Sequence, residues 1–258
     1  MEPVLLEEDG PIGWLTLNSP EKRNALSLKL MDDMLDKLSL VAQNLDIRVV
    51  VIRGNGPVFC AGHDLNEMVG ADFDMNHFHN LFSKCAEMMQ ALYALPQPVI
   101  AQVHGVATAA GCQLVAACDL AIAETGARFA TPGVKIGLFC STPAVPLVRV
   151  IGRRKAMEML LSGRFVTADE AERFGLVNRI VAPDKLAEQT RNWALEMAQC
   201  SRYTLAFGKE TFYKQVDLAD KSAYNFATNA MVMNCLAEDA QEGMLAFLEK
   251  REPVWKDR

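Results

Sequence analysis

The 258-residue chain is half hydrophobic and carries a net charge of −6. A chain of this length buries about three quarters of its unfolded surface on folding, so the composition excludes an intrinsically disordered protein. The excess of 32 acidic over 26 basic residues argues against nucleic acid or an anionic membrane as the main partner. An anionic ligand therefore requires a local cluster of basic residues.

The seven cysteines are scattered, mostly within apolar runs, and form no C-x-x-C pair. This distribution is unlike a zinc or redox site, so we expect no bound metal and a reducing compartment. The first residues, Met1–Asp9, have neither an apolar signal core nor the arginine-rich character of a transit peptide. We expect a cytoplasmic protein, with a processed protein of the mitochondrial matrix as the alternative.

The first half of the chain alternates strand and helix patterns. Strands are predicted at Ile12–Leu17, Val49–Ile52 and Val99–Val103, with helices over Ser27–Asn44 and Asn76–Leu95 between them. Alternating strands and helices predict a mostly parallel α/β sheet with crossover connections.

The apolar stretch Val99 to Ala123 is long enough to suggest a membrane span, but polar residues such as Gln102, His104 and Asp119 interrupt it. Buried strands and a helix explain this stretch better. We therefore expect no membrane span.

The pattern changes at Thr167, where Thr167 and Glu170 have the spacing of a capping box and Gly175 ends a short helix. Beyond this point the chain reads as helical. Apolar residues recur every three or four positions in Pro183–Gln199, Thr204–Gln215, Leu218–Asn234 and Ala237–Lys250.

Two loops after predicted strands favour a binding site, because open α/β sheets place ligands at strand ends. The first loop contains Gly62, which lets neighbouring backbone approach a ligand. The second runs from His104 through small residues into a predicted helix near Ala110, whose free N–H groups attract a carbonyl oxygen that gains negative charge. For the second loop alone, close helix-to-sheet packing explains the small residues equally well.

Several motifs occur in an order that resembles the crotonase, or enoyl-CoA hydratase/isomerase, superfamily over nearly the whole chain. The resemblance extends to members that lack both catalytic glutamates. The motifs are Arg23-Asn24-Ala25-Leu26, Phe59-Cys60-Ala61-Gly62-His63-Asp64-Leu65, His104-Gly105, Ala109-Ala110-Gly111-Cys112, Cys118-Asp119, Ala168 with Glu170-Ala171, Gly175-Leu176-Val177, Glu242-Gly243, and Phe247 with Lys250.

The resemblance implies a crotonase-like ββα spiral core over residues 1–195. It implies that residues 196–258 form a helical C-terminal region that builds a homotrimer or a dimer of trimers and completes the CoA site. The expected ligand or substrate is an acyl-CoA thioester, with no other cofactor. Its thioester oxygen would accept hydrogen bonds from the N–H groups of His63 and Ala110.

The resemblance also implies contacts with CoA. Arg23 is either a phosphate contact or an exposed cation in a turn, and Asn66 replaces a lysine that is common in the family. The remaining expected CoA contacts are Ala61, Gly62, Asp64, Leu65, Phe247 and Lys250.

The two glutamates of the usual hydratase reaction are missing. The family positions are occupied by Gln113, which cannot take up a proton at ordinary pH, and by Gly133, which offers only backbone. General acid and base groups typically contribute about 10²–10⁴-fold each, so ordinary hydration is doubtful. The leading hypothesis is a lyase or isomerase with atypical catalytic residues, and the alternative is a non-catalytic acyl-CoA-binding protein.

Replacement acid or base groups could come from loops that flank the acyl group, although a helix cap suits Asp64 and a turn before a helix suits Cys140. A structural hydrogen bond is expected for His104. Introducing glutamate at both 113 and 133 should raise activity if the pocket is otherwise intact. The candidates for replacement are His63, Asp64, Glu67, Asp72, His77, His79, Cys140, Ser141 and Thr142.

Overall fold

The computed structural model describes residues 2–70 and 72–258. Nine strands form two sheets within these residues. Their bounds are β1 Val4–Asp9, β2 Ile12–Leu17, β3 Val49–Gly54, β4 Val99–Val103, β5 Val106–Thr108, β6 Leu120–Glu124, β7 Arg128–Ala130, β8 Val166–Thr167 and β9 Arg179–Val181.

The larger sheet has the order β1-β2-β3-β4-β6-β9 and the smaller sheet the order β5-β7-β8. In the larger sheet only the β1–β2 hairpin is antiparallel, and every later pair is parallel. The predicted parallel α/β sheet is therefore confirmed.

Ten helices lie between and after the strands in the described residues. They are α1 Leu28–Gln43, α2 Leu65–Gly70, α3 Met75–Ala94, α4 Ala110–Ala117, α5 Ser141–Ser162, α6 Ala168–Phe174, α7 Leu186–Ala198, α8 Arg202–Gln215, α9 Asp220–Cys235 and α10 Glu238–Glu249. Short 3-10 helices cover Pro20–Lys22, Pro132–Ile136 and Pro183–Lys185, and α5 is kinked at Gly152.

The predicted end signals of the helices are confirmed. Ser27 caps α1 by accepting from the Leu30 N–H, and Thr167 forms the capping box of α6 with Glu170. The stretch Val99 to Ala123 folds into β4, β5, α4 and most of β6. No helix in residues 2–70 and 72–258 is long and apolar enough to cross a membrane.

Alternate side chains of the large sheet enter two cores. Leu15, Val50 and Ile52 face the core that contains α1 and α3, whereas Trp14 and Val51 face α7 on the other side. Both faces of this mostly parallel sheet are thus covered.

Helix α7 belongs to the core, because Trp193 and Ala194 pack against the sheet and the helix continues to Ala198. The predicted division at 195/196 therefore falls inside a helix.

The C-terminal helices are anchored by a buried cation. The Lys209 ammonium on α8 donates to the carbonyls of Leu92 and Gln97 at 2.8 and 2.9 Å and pairs with the Asp119 carboxylate at 2.7 Å. Tyr213 donates to the other Asp119 oxygen at 2.8 Å. This network ties α8 to the end of α3 and the start of β6.

The two predicted binding loops pack directly against each other. Cys60 in the first loop accepts from the Thr108 N–H at 3.0 Å. A Cβ added to Gly111 would lie 2.3 Å from the Cys60 carbonyl oxygen, and one added to Gly62 would lie 2.8 Å from the Ala109 Cβ. The small residues of the second loop therefore permit loop-to-loop contact.

This packing predicts opposite effects for the same substitution at two helical glycines. Gly111→Ala forces Cys60 to move, and overpacking of this kind lowers the free energy of unfolding by about 1–3 kcal/mol. Gly208→Ala, on α8 with no atom within 4 Å of the added Cβ, should instead stabilise by about 0.5–1 kcal/mol. Denaturant unfolding measures both, and equal effects would contradict the proposed constraint.

Candidate active site

Two backbone donors at the loop contact are unoccupied. Within residues 2–70 and 72–258, no group accepts a hydrogen bond from the N–H of His63 or of Ala110, whereas the N–H groups of Asp64 and Ala109 donate to backbone carbonyls at 3.4 and 2.9 Å. The segments are in contact, since a Cβ on Gly62 would lie 3.4 Å from the Ala110 nitrogen. The two segments that carry these N–H groups therefore face each other.

The residue before the free Ala110 N–H has an unusual backbone conformation. Ala109 has φ 50° and ψ −119°, and a non-glycine residue in such a region costs of order 1–3 kcal/mol. Ala110 is the first residue of α4, so its N–H has no partner within the helix. The positive end of the α4 dipole therefore lies at the Ala110 N–H.

Hydrogen bonds fix the first loop on both sides. The Leu26 N–H donates to the Gly62 carbonyl at 2.7 Å, and the Ala61 N–H donates to the Arg23 carbonyl at 3.0 Å. The Thr108 hydroxyl donates to the Ala61 carbonyl at 3.0 Å. Thr108 was not singled out from the sequence, and only its position next to the small residues could have signalled this role.

Asn24 holds the turn that precedes the first loop. Its fully buried side-chain amide donates to the carbonyls of Asn55, Val58 and Phe59 at 2.8 to 3.1 Å. Asn24 therefore positions the site without lining it.

A cavity of about 870 Å³ opens at the two donors. Its apolar wall includes Met68, Phe82, Ile136, Leu138 and Phe139. The predicted site residues that line it are Arg23, Ala61, His63, Asp64, Leu65, Ala110 and Gly133.

Four predicted site residues lie outside this lining in the described chain. Gly62 lies at the loop contact itself, and Gln113 is only 3% exposed, with no partner for Oε1 in residues 2–70 and 72–258. Phe247 is 83% exposed on α10, and Lys250 follows that helix in a left-handed conformation. The cavity of a single chain thus includes neither α10 residue.

The space beside Gly133 is already filled. A Cβ at this position would lie 2.6 Å from the Leu138 carbonyl oxygen and 2.8 Å from the Cys140 sulfur. The Gly133 N–H also hydrogen-bonds the Cys140 sulfur, while burial raises the pKa of this thiol. The condition of an otherwise intact pocket is therefore not met at 133, because the Cys140 thiol and the Leu138 carbonyl lie where a side chain at this position would begin.

Asp64 caps a helix, as predicted. One carboxylate oxygen accepts from the Asn66 N–H at 3.0 Å, and the other accepts from the Lys22 ammonium at 2.9 Å. The Lys22 hydrogen bond is the main cause that lowers the pKa of Asp64. Asp64 is thus a paired carboxylate at the cavity wall.

The other replacement candidates have varied positions. Glu67 accepts from the Leu28 N–H at 3.2 Å, and His104 contacts the Gly56 carbonyl at 2.9 Å, which confirms its structural role. Cys140, Ser141 and Thr142 line the cavity where α5 begins. The lining in the described chain does not include Asp72, His77 or His79.

The imidazole of His63 is held in one tautomer. Its Nδ1 lies 3.2 Å from the Leu26 carbonyl oxygen, so Nδ1 carries the proton and donates. The ring makes an edge-to-face contact with Phe82, with centroids 5.3 Å apart. Burial lowers the pKa of His63, which leaves Nε2 as a neutral lone pair without a partner in residues 2–70 and 72–258.

Comparisons with known proteins agree on one family. The sequence model of the enoyl-CoA hydratase/isomerase family matches residues 7–258. A Rattus norvegicus protein named enoyl-CoA hydratase domain-containing protein 3, mitochondrial, is 45% identical over 96% of this chain and 82% of its own length. A protein of Rhizobium meliloti named probable enoyl-CoA hydratase is 33% identical over 100% of this chain and 99% of its own length.

Solved structures give the same result. The crystal structure of an enoyl-CoA hydratase from Mycobacterium smegmatis has a TM-score of 0.95 at 45% identity and covers 98% of both chains. That of human enoyl-CoA hydratase domain-containing protein 3 has a TM-score of 0.95 at 42% identity and covers 98% of this chain and 100% of its own. The crotonase-like fold is therefore established, and the chain belongs to the enoyl-CoA hydratase/isomerase family.

Proposed function

We propose that this protein is an acyl-CoA enzyme that stabilises a thioester enolate between the N–H groups of His63 and Ala110. The observation that carries the proposal is that two facing segments, each with a backbone N–H that has no acceptor in the described residues, line a large, mostly apolar cavity. Chemistry next to a thioester places negative charge on its carbonyl oxygen. One such donor typically contributes about 2.7–4 kcal/mol to the transition state.

The CoA portion requires groups at the cavity mouth and beyond it. Arg23 and Lys135 are the lining cations that are not paired with a carboxylate in the described residues, and they suit phosphate groups. Ala61, Asp64 and Leu65 border the same opening. Phe247 and Lys250 can contact the CoA portion only if they belong to a neighbouring subunit or if α10 is rearranged.

The proposed reaction does not use the pair of glutamates that catalyses ordinary hydration. Gln113 and Gly133 supply no acid or base, so we propose lyase or isomerase chemistry within fatty acid metabolism that uses other groups. The same two residues favour a second function, non-catalytic acyl-CoA binding. All seven cysteines lie in the described residues as free thiols, which suits the cytoplasm or the mitochondrial matrix, and the names of the mitochondrial relatives favour the matrix.

Two measurements separate acyl-CoA binding from ordinary hydration. Calorimetry should detect binding of butyryl-CoA, whereas hydration of crotonyl-CoA should be at least about 10²-fold slower than in a family enzyme that has both glutamates. Loss of the enoyl-thioester absorbance measures the second quantity. Hydration at an ordinary rate would contradict the atypical chemistry, and absence of binding would contradict the proposed function.

Restoring a glutamate at 133 should fail for steric reasons. Gly133→Glu overpacks the wall formed by Leu138 and Cys140, so we expect a loss of about 1–3 kcal/mol in unfolding free energy and no gain in crotonyl-CoA hydration. Cys140→Gly in the same chain should recover part of the stability, because it removes the contact with sulfur but leaves that with the Leu138 carbonyl. A stable Gly133→Glu variant with raised hydration would show that the wall can adapt.

An oligomer is proposed because the C-terminal helices expose apolar side chains. No residue of α8 or α9 is buried as a whole in the described chain, although the Lys209 side chain is shielded, and α9 presents Tyr224, Met231 and Val232 to solvent. Helices of this length depend on tertiary packing for most of their stability. We propose that a homotrimer or a dimer of trimers covers this surface and brings Phe247 and Lys250 to a neighbouring cavity.

Light scattering should therefore give three or six times the mass of one chain. Met231→Glu, at a side chain 63% exposed in the single chain, should dissociate the oligomer and weaken acyl-CoA binding. Leu45→Glu is the matched control, because this leucine is 65% exposed outside the C-terminal helices. A monomeric protein, or an unchanged mass in Met231→Glu, would contradict the proposed interface.

A further inference from the structure

The cavity offers few groups able to accept a proton. Among the titratable residues that line it, Asp64 is paired with Lys22, and the Cys140 thiol is kept protonated by burial. Lys22, Arg23 and Lys135 are cations, and Glu21 is exposed to solvent in the turn Pro20–Lys22. The remaining titratable group in the described lining is the imidazole of His63.

His63 has the structural features of a base. The hydrogen bond from Nδ1 to the Leu26 carbonyl fixes the tautomer and leaves the Nε2 lone pair free. Nε2 has almost no accessible surface, so an acyl group and solvent both reach it only when neighbouring side chains move. Phe82 contacts the ring, lines the cavity and is only partly buried.

We propose that His63 acts twice at this site, with its backbone N–H as a donor to the thioester oxygen and its imidazole Nε2 as the acceptor of the α-proton. The inference rests on the proposed function, because it requires a bound acyl thioester. The Phe82 ring shifts to let the α-carbon approach Nε2. The residue thereby supplies a base that neither Gln113 nor Gly133 provides.

The proton-transfer step is balanced within the site. The α-carbon–hydrogen bond breaks, and its proton forms a bond with Nε2 to give an imidazolium. The bonding electrons form the enolate, whose charge lies on the oxygen held by His63 and Ala110. While the site is open, the imidazolium proton exchanges with heavy water, and reversal then returns a deuteron to the α-carbon, so a saturated acyl thioester gains deuterium.

Deuterium incorporation into butyryl-CoA in heavy water tests the inference. His63→Asn keeps the backbone N–H and places an amide donor where Nδ1 meets the Leu26 carbonyl, but it has no base. We expect exchange to fall about 10²–10⁴-fold, while calorimetry still detects binding of butyryl-CoA because the backbone N–H remains. The matched control is His79→Gln, because His79 is exposed on α3 and lies outside the lining in the described chain.

The outcomes separate this inference from the proposed function. Exchange at the wild-type rate in His63→Asn overturns it, and so does a loss of exchange in Cys140→Ala with full exchange in His63→Asn. Wild-type protein that binds butyryl-CoA without exchange overturns the assignment of His63 but leaves thioester binding intact. Absence of binding overturns the proposed function itself.

Discussion

The close approach of two loops is the constraint on which the rest of the site depends. Gly62 and Gly111 have no side chains at points where a Cβ would meet the opposite loop at 2.8 and 2.3 Å. Because the loops touch there, His63 at the end of one loop and Ala110 at the start of α4 line the same cavity. The cavity, the cap at Asp64 and the hydroxyl of Thr108 all surround this contact. The sheet holds it in place, since each loop continues from a buried strand.

Binding and proton transfer are carried by different parts of this site. The oxyanion donors are backbone groups, so they persist when nearby side chains change. The two positions that would carry glutamates differ in their surroundings: the buried Gln113 oxygen has no partner in the described residues, and Gly133 is covered by the Leu138 carbonyl and the Cys140 sulfur. Restoring chemistry at 133 therefore requires a different wall as well as a new carboxylate, whereas thioester binding requires neither.

The elements of the fold could be predicted because their signals are local. Periodicity and caps located α1, α3 and α6 to within about one or two residues, which is the usual uncertainty of helix ends. Gly62 also indicated close backbone approach. The left-handed φ of Ala109 could not be predicted, because alanine gives no sign of a conformation imposed by packing. The approach of Cys140 to Gly133 depends on the 3-10 turn between them, and the end of the core depends on Trp193 meeting the sheet.

Leu26 supports both roles proposed for His63, that of its backbone N–H and that of its ring. Its N–H donates to the Gly62 carbonyl, while its carbonyl accepts from the Asp64 N–H and from the His63 ring. One peptide segment therefore bonds to the backbone on both sides of His63 and to its side chain as well. The free His63 N–H is held by its neighbours, and the same carbonyl that orients the ring selects the tautomer with a free Nε2. A substitution that displaces Leu26 would disturb the donor and the base together, whereas one in the His63 side chain separates them.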